Sequence, residues 1–127
     1  MATHGTFYWN ELLTPDPAAA AAFLSDLVGG YEIREMPMED GTYRVLMRDG
    51  RPVGGVMALA GLPPGTPPHW QSYLAVDDVD AAVRRATELG GRTIREPFDV
   101  EGVGRIAVIK DPQGAVLSLI TPVRREG

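Results

Sequence analysis

The chain repeats itself, and this repeat constrains its fold more than any other feature. Residues 16–30 read DPAAAAAFLSDLVGG and residues 77–91 read DDVDAAVRRATELGG. In each stretch aspartate precedes a helical pattern and a Gly-Gly pair follows it. Aspartate is favoured at a helix N-cap, and glycine suits the left-handed conformation after the last turn. The pattern therefore predicts helices over about Pro17–Val28 and Val79–Leu89, one in each of two similar modules.

Short runs of aliphatic and aromatic residues flank the two helices in the same order. FYWNELLT (7–14) precedes the first helix and WQSYLAVD (70–77) precedes the second, as strands would. Three more runs follow each helix: Tyr31–Glu35, Thr42–Arg48 and Val53–Ala60, then Arg92–Glu96, Arg105–Lys110 and Ala115–Thr121. Each half therefore reads β-α-β-β-β.

One such half is too short to bury its sheet alone, so the two halves are expected to pair. The sequence predicts a single domain over residues 1–127, with module one at about 5–60 and module two at about 69–122. Between them GLPPGTPP (61–68) has four prolines, which favour an extended connector.

Composition excludes several classes of protein. The formal net charge of -5 argues against a nucleic-acid partner. The chain has no cysteine, which excludes disulfides, thiolate metal sites and a cysteine nucleophile. Neither a secretory leader nor an apolar run of ~18 residues is visible, so we expect no membrane partner and a cytoplasmic location.

Paired modules with these sequences resemble the vicinal oxygen chelate superfamily, which contains glyoxalase I, bleomycin-resistance proteins and extradiol dioxygenases. The most specific segments are residues 76–91 and residues 102–122. The second of these resembles the closing hairpin of the family, with its Asp-Pro-x-Gly turn. WNELLTPDPAAAAAFLSDLVGG (9–30) resembles a subgroup in which a Trp-x-Glu-Leu strand opens the module. The resemblance implies an α+β fold in which two βαβββ modules form a curled mixed sheet around a central cavity. It also implies a homodimer, since proteins of this family usually pair.

Metal-dependent members of that family place a ligand on the first and the last strand of each module. Alignment of the two helix starts puts these positions at Trp9, Ala58, Gln71 and Ser118. Only Gln71 is a plausible ligand, and its amide oxygen coordinates weakly. We therefore expect no metal and no other cofactor. The roles of the two histidines, at positions 4 and 69, stay open because neither has the spacing of a zinc ligand.

Strand alternation places several polar and aromatic side chains on the cavity side. The predicted ligand-binding residues are Trp9, Glu11, Gln71, Tyr73 and Ser118. The indole of Trp9 either plugs the cavity or stacks on an aromatic ligand. The carboxylate of Glu11 has three readings: an anchor for a cationic or hydroxylated ligand, a general base, or a salt bridge to Arg44 or Arg105.

These residues favour metal-independent binding of a small, partly aromatic molecule. Two alternatives are also compatible with the sequence. One is an enzyme, either a metal-dependent lyase or dioxygenase of the same superfamily with unrecognised ligands or a metal-free enzyme that uses Glu11. The other is a scaffold-like protein whose barrel is filled by side chains. The sequence assigns no catalytic residue and does not identify the ligand.

Overall fold

The computed structural model describes residues 3–38, 41–59 and 62–123. Module one contains β1 (Phe7–Thr14), α1 (Pro17–Val28), β2 (Glu32–Met38), β3 (Gly41–Arg48) and β4 (Arg51–Ala58). Module two contains β5 (His69–Ala75), α2 (Val79–Glu88), β6 (Arg92–Val100), β7 (Gly104–Lys110) and β8 (Val116–Pro122). The predicted α+β class and the two βαβββ modules are confirmed. Residues 60 and 61, where module one was predicted to end and the connector to begin, lie outside the described residues.

Both helices begin at the predicted aspartate caps. The side chain of Asp16 accepts the backbone N–H of Ala19 at 3.1 Å, and that of Asp78 accepts the N–H of Ala81 at 3.1 Å. Each bond satisfies one of the N–H groups that a first helical turn leaves without a partner. At the other end of α1, Gly29 has φ of 84° in the left-handed region, where a side chain would be strained.

The strands of each module form the same mixed arrangement. In module one the order is β2-β3-β4-β1, with β1 parallel to β4 and the other pairs antiparallel. In module two it is β6-β7-β8-β5, with β5 parallel to β8. The first strand of each module therefore lies beside its last strand, which brings the residues of those two strands together.

Strands β2 and β6 continue beyond the predicted ends, through Pro37 and Pro97. Each has a neighbouring strand of its module on one side only. Proline has no N–H to donate to a ladder, and it is tolerated where one edge of the strand is unpaired in the module. The antiparallel pairing of β6 with β7 shifts register between Arg95 and Phe98, which brackets this proline.

Each helix packs on one face of its own module's sheet. The core under α1 contains Ala21, Leu46 and Val56, and Leu12 packs against it. The core under α2 consists of six buried residues: Val76, Val79, Val83, Ala107, Ile109 and Leu119. Leu12 of β1 thus points toward α1. Side chains at the intervening positions of β1 therefore lie on the opposite face.

Two compact units divide the chain slightly differently from the modules. Of the described residues, one unit contains 9–38, 41–59 and 62–71, and the other contains 3–8 together with 72–123. The boundaries fall within β1 and within β5. The single-domain organisation, the curl of the sheet and the central cavity stay predictions. Neither of the two described helices has both the length and the apolar composition needed to cross a membrane.

Candidate functional site

A chain of two hydrogen bonds joins three side chains of module one on the sheet face away from α1. The indole Nε1–H of Trp9 donates to the hydroxyl oxygen of Tyr43 at 2.8 Å. That hydroxyl in turn donates to Oε1 of Glu11 at 2.9 Å. Trp9 and Glu11, predicted from alternation to share a face, are thus brought together through a residue that was not predicted.

Tyr43 reaches Glu11 because the strand between them carries a glycine. Gly55 of β4 is paired with Glu11 of β1 on one side and with Val45 of β3 on the other. The Tyr43 ring crosses directly over Gly55, where a Cβ atom would overlap the phenol hydroxyl. A glycine inside a strand often marks such a close approach, and this signal in the sequence could have pointed to the contact.

The carboxylate at the end of this chain is withdrawn from water. The Glu11 residue is only 4% exposed. Burying a charged carboxylate is costly unless it accepts hydrogen bonds, and Tyr43 supplies one. Burial raises the pKa of Tyr43 far above its ordinary value; the charge of Glu11 raises it further, and the bond from Trp9 partly opposes this. Tyr43 is therefore a neutral donor at physiological pH, and it fixes the orientation of the carboxylate.

Both arginines considered as salt-bridge partners of Glu11 form other ion pairs. Arg44 lies on the opposite face of β3 from Tyr43 and pairs with Glu35 at 3.5 Å. Arg105 pairs with Asp80 at 2.7 Å and also with the nearby carboxylate at position 99. The phenol of Tyr43, which was not considered as a partner from the sequence, donates a hydrogen bond to Glu11.

Gln71 is held by one of the two histidines whose roles were left open. Nε2 of His69 lies 3.1 Å from Oε1 of Gln71, and Nδ1 lies 2.9 Å from the backbone oxygen of Pro67. Both of these oxygens can only accept, so a neutral imidazole, with its one N–H, donates to one of them and not to both. Gln71 itself is buried, with 6% exposed. The imidazole thus lies against the one side chain that was considered a plausible metal ligand.

The other histidine anchors the segment that precedes β1. Nδ1 of His4 accepts the backbone N–H of Asp77 at 2.9 Å, and it lies 3.8 Å from the carboxylate of the same residue. The contact lies just before α2, whose cap is Asp78. His4 therefore has a structural role in holding this segment against module two.

Tyr73 and Ser118 lie opposite each other on the paired strands β5 and β8. Ser118 is completely buried, and Tyr73 is half-buried. The structure thus brings together these two predicted site residues in module two. That they share one cavity with Trp9 and Glu11 stays a prediction.

The strand register corrects one of the four aligned metal positions. Glu11 of β1 pairs with Gly55, and Tyr73, at the same distance before its helix, pairs with Ser118. The module-one residue that corresponds to Ser118 is therefore Gly55 and not Ala58. Glycine offers no side-chain donor. In the part of the chain that the structure describes, no group of three or more His, Cys, Asp or Glu side chains could hold a metal ion.

Comparisons with known proteins agree with this architecture. The family model described as Glyoxalase/Bleomycin resistance protein/Dioxygenase superfamily matches residues 6–119. CFP32 of Mycobacterium tuberculosis, which is named as a glyoxylase, is 43% identical over 122 residues, covering 96% of this chain and 46% of that protein. The anthracycline biosynthesis protein DnrV of Streptomyces peucetius is 34% identical over 123 residues, covering 87% of this chain and 45% of that protein. The chain thus spans about half the length of these curated relatives.

Among solved structures, methylmalonyl-CoA epimerase from Mycobacterium tuberculosis superposes with a TM-score of 0.66. It is 22% identical, and the match covers 98% of this chain and 93% of the epimerase. At this identity the likeness concerns the fold alone. The family model, the relatives and the shared βαβββ modules lead to one conclusion: the chain belongs to the Glyoxalase/Bleomycin resistance protein/Dioxygenase superfamily.

Proposed function

We propose that the chain binds a small, partly aromatic molecule without a metal ion, at the module-one site formed by Trp9, Glu11 and Tyr43. One observation supports this proposal most directly. A carboxylate that is 4% exposed is held in a fixed orientation by a phenol, and that phenol is held by an indole. A preoriented acceptor beside a large aromatic ring is suited to a ligand with both a ring and a donor group.

Each side chain has a distinct part in such binding. The indole of Trp9 is half-buried and offers a face on which a planar ligand stacks. A carboxylate accepts up to about four hydrogen bonds, so a hydroxyl or ammonium group of the ligand can bind Glu11 alongside Tyr43. Tyr43 positions Glu11 and spares the ligand the entropic cost of ordering it.

The residues at the family's metal positions support metal independence. Trp9 and Gly55 provide no coordinating side-chain atom, and the amide of Gln71 and the hydroxyl of Ser118 are weak donors. The similarity to a protein of anthracycline biosynthesis supports a polycyclic aromatic ligand that carries hydroxyl groups.

Tryptophan fluorescence provides the test, since the chain has two tryptophans, Trp9 and Trp70. Trp70→Phe removes the exposed one and leaves Trp9 as the reporter. Titration of this variant with a hydroxylated anthraquinone in the presence of a chelator should give saturable quenching. Glu11→Gln should weaken binding about 10- to 100-fold, as expected from loss of a charge-assisted hydrogen bond of about 1.5–3 kcal/mol.

The matched control is Glu35→Gln, which neutralises an exposed carboxylate of the same module and should leave the affinity unchanged. Equal affinities of the Glu11 and Glu35 variants would contradict the proposed site. Quenching that appears only after Zn²⁺, Ni²⁺ or Mn²⁺ is added would instead favour the metal-dependent enzyme. Failure of planar aromatic probes of any charge to quench Trp9 would favour the filled scaffold.

A further inference from the structure

Two cationic side chains lie opposite each other on neighbouring strands of module two. Arg92 of β6 is paired with Lys110 of β7, so both side chains lie on the same face of the sheet. Like charges placed directly opposite each other destabilise a strand pair. Neither side chain forms an ion pair with an acid in the part of the chain that the structure describes. Such a pair is suited to an anion that binds from outside the protein.

The face that carries this pair is turned away from α2. Ile109, the residue before Lys110, packs in the core under α2, so alternation places Lys110 and Arg92 on the opposite side. Arg95 lies on that side too, because it is paired with Val108. Val108 is two residues from Lys110, a distance of about 7 Å along the strand. Three cations therefore lie at one end of this face.

An aromatic ring orients the third cation. The guanidinium carbon of Arg95 lies 3.7 Å from the centroid of the Phe98 ring. Stacking of this kind occupies one face of the planar guanidinium and leaves the N–H groups at its edge free in direction to donate. Arg95 is thus partly ordered before any anion binds, which lowers the entropic cost of using it.

A polar hollow of about 280 Å³ lies beside the cation pair. It is lined by Arg92, Lys110, Gly90 and the residues of the β7–β8 turn from Asp111 to Gly114. Its volume is below the ~300 Å³ at which pockets for drug-sized molecules begin. The hollow therefore suits a small anion and not a large organic ligand.

The acid in the lining of this hollow, Asp111, is engaged by the backbone of its own turn. Its Oδ1 accepts the N–H of Gln113 and the N–H of Ala115, each at 2.9 Å. Its backbone oxygen accepts the N–H of Gly114 at 3.0 Å. Asp111 thus stabilises the turn, as aspartate commonly does. Two cations against this one acid leave the lining with a net positive charge.

We propose that Arg92 and Lys110 bind a phosphate group in the hollow, with Arg95 as a weaker third contact. A phosphate group has several oxygens, so it accepts charge-assisted hydrogen bonds from both cations at once and removes their mutual repulsion. The free ion and a small phosphate ester offer this same chemistry. The site uses residues of module two only, and it does not depend on the aromatic ligand proposed for module one.

The charge of the whole chain favours a small phosphate compound over a nucleic acid. The formal net charge is -5, so the positive potential is confined to this end of module two. An extended polyanion needs a basic surface that follows its backbone, and it would meet the remaining acidic surface of the protein.

NMR titration with inorganic phosphate, at an ionic strength held constant with chloride, tests the site. The backbone N–H signals of Gly90, Lys110 and Gly114 should shift in a saturable way, because these residues line the hollow. Arg92→Gln and Lys110→Gln should each weaken phosphate binding about 10-fold, as expected for loss of a charge-assisted hydrogen bond. Arg95→Gln should weaken it by a smaller factor, since Arg95 lies further along the strands.

The matched control is Arg84→Gln, which removes an exposed arginine of α2 in the same module and should leave the phosphate affinity unchanged. Circular dichroism verifies the fold of each variant. Equal affinities of the Arg84 and Arg92 variants, or the absence of saturable shifts in the wild type, would overturn the proposal. Phenyl phosphate distinguishes the two sources of the group: tighter binding than inorganic phosphate supports an ester, and equal binding supports the free ion.

Discussion

The two modules share a backbone plan and differ at three corresponding places on the sheet face away from the helix. The strand registers give the correspondence, since Gly55 pairs with Val45 and Ser118 pairs with Val108. Module one has Glu11, Tyr43 and Gly55 where module two has Tyr73, Ile106 and Ser118. Module one thus carries a buried carboxylate with its phenol donor, and module two has an apolar residue at the donor's position.

The two faces of each sheet are under different packing constraints. The helix-facing side of each sheet must pack against its own helix, and both modules keep it apolar. The opposite side is not bound by that requirement. Removal of one side chain, at Gly55, lets a ring cross β4 in module one, whereas Ser118 keeps its side chain at the corresponding position of β8. The glycine thus permits a phenol to reach Glu11 in module one.

A side chain at position 55 should have the largest effect on the module-one site. In Gly55→Ala the new Cβ overlaps the hydroxyl of Tyr43, so the ring must leave both Trp9 and Glu11. We expect a loss of about 3 kcal/mol in the free energy of unfolding, the upper end for an overpacked core. Urea denaturation measures it. Gly54→Ala is the matched control: its Cβ would come no closer than 3.4 Å to any neighbour, so it should cost much less. Equal losses in the two variants would contradict the crossing of the ring over Gly55.

The next test removes only the hydroxyl of the phenol. Tyr43→Phe deprives Glu11 of a donor and the indole of Trp9 of an acceptor, while the ring remains. We expect the free energy of unfolding to fall by about 2 kcal/mol, as for buried polar groups that lose a partner. A double-mutant cycle with Glu11→Gln should show coupling of about 1 kcal/mol. Additive effects would mean that the two side chains act independently.

The buried phenol of module one should also make stability depend on pH. The pKa of Tyr43 is raised, chiefly by burial and then by the charge of Glu11. Above about pH 10 the unfolded chain releases this proton while the folded chain retains it, so this contribution to stability is lost as pH rises. The slope should approach about 1.4 kcal/mol per pH unit in the wild type relative to Tyr43→Phe. Parallel curves for the two proteins in chemical denaturation from about pH 8 to pH 11 would contradict the shift.

Much of the fold could be predicted from local signals. The aspartate caps and glycine stops act within a few residues, so α1 is found at its predicted bounds. Strand ends were predicted less well, because Pro37 and Pro97 stay in strands whose module provides a neighbour on one side only. Those positions depend on sheet order, which periodicity does not reveal.

The site was predicted in part, for a related physical reason. Alternation along one strand is enough to place Trp9 and Glu11 on one face. It cannot show that Tyr43, 32 residues beyond Glu11, meets that carboxylate, because the meeting depends on the register of three strands and on Gly55. The same dependence explains why helix alignment selected Ala58 in place of Gly55.

The smallest expected effect belongs to the charged contact on the helix side of module two. The guanidinium of Arg105 donates two hydrogen bonds to Asp80, at 2.7 and 3.0 Å, and joins β7 to α2. These bonds, more than the accompanying charge, lower the pKa of Asp80 from its ordinary 3.8, against a smaller opposing effect of desolvation. A lowered pKa contributes stability that is present above the unfolded value and lost as pH falls through the folded value.

Because both side chains are partly in water, Asp80→Asn should lower the melting temperature at neutral pH by less than Tyr43→Phe does. The difference from the wild type should shrink below about pH 4. Calorimetry from about pH 2 to pH 7 measures both effects, and a difference that is constant across this range would show that Asp80 stabilises α2 by packing and not by its charge.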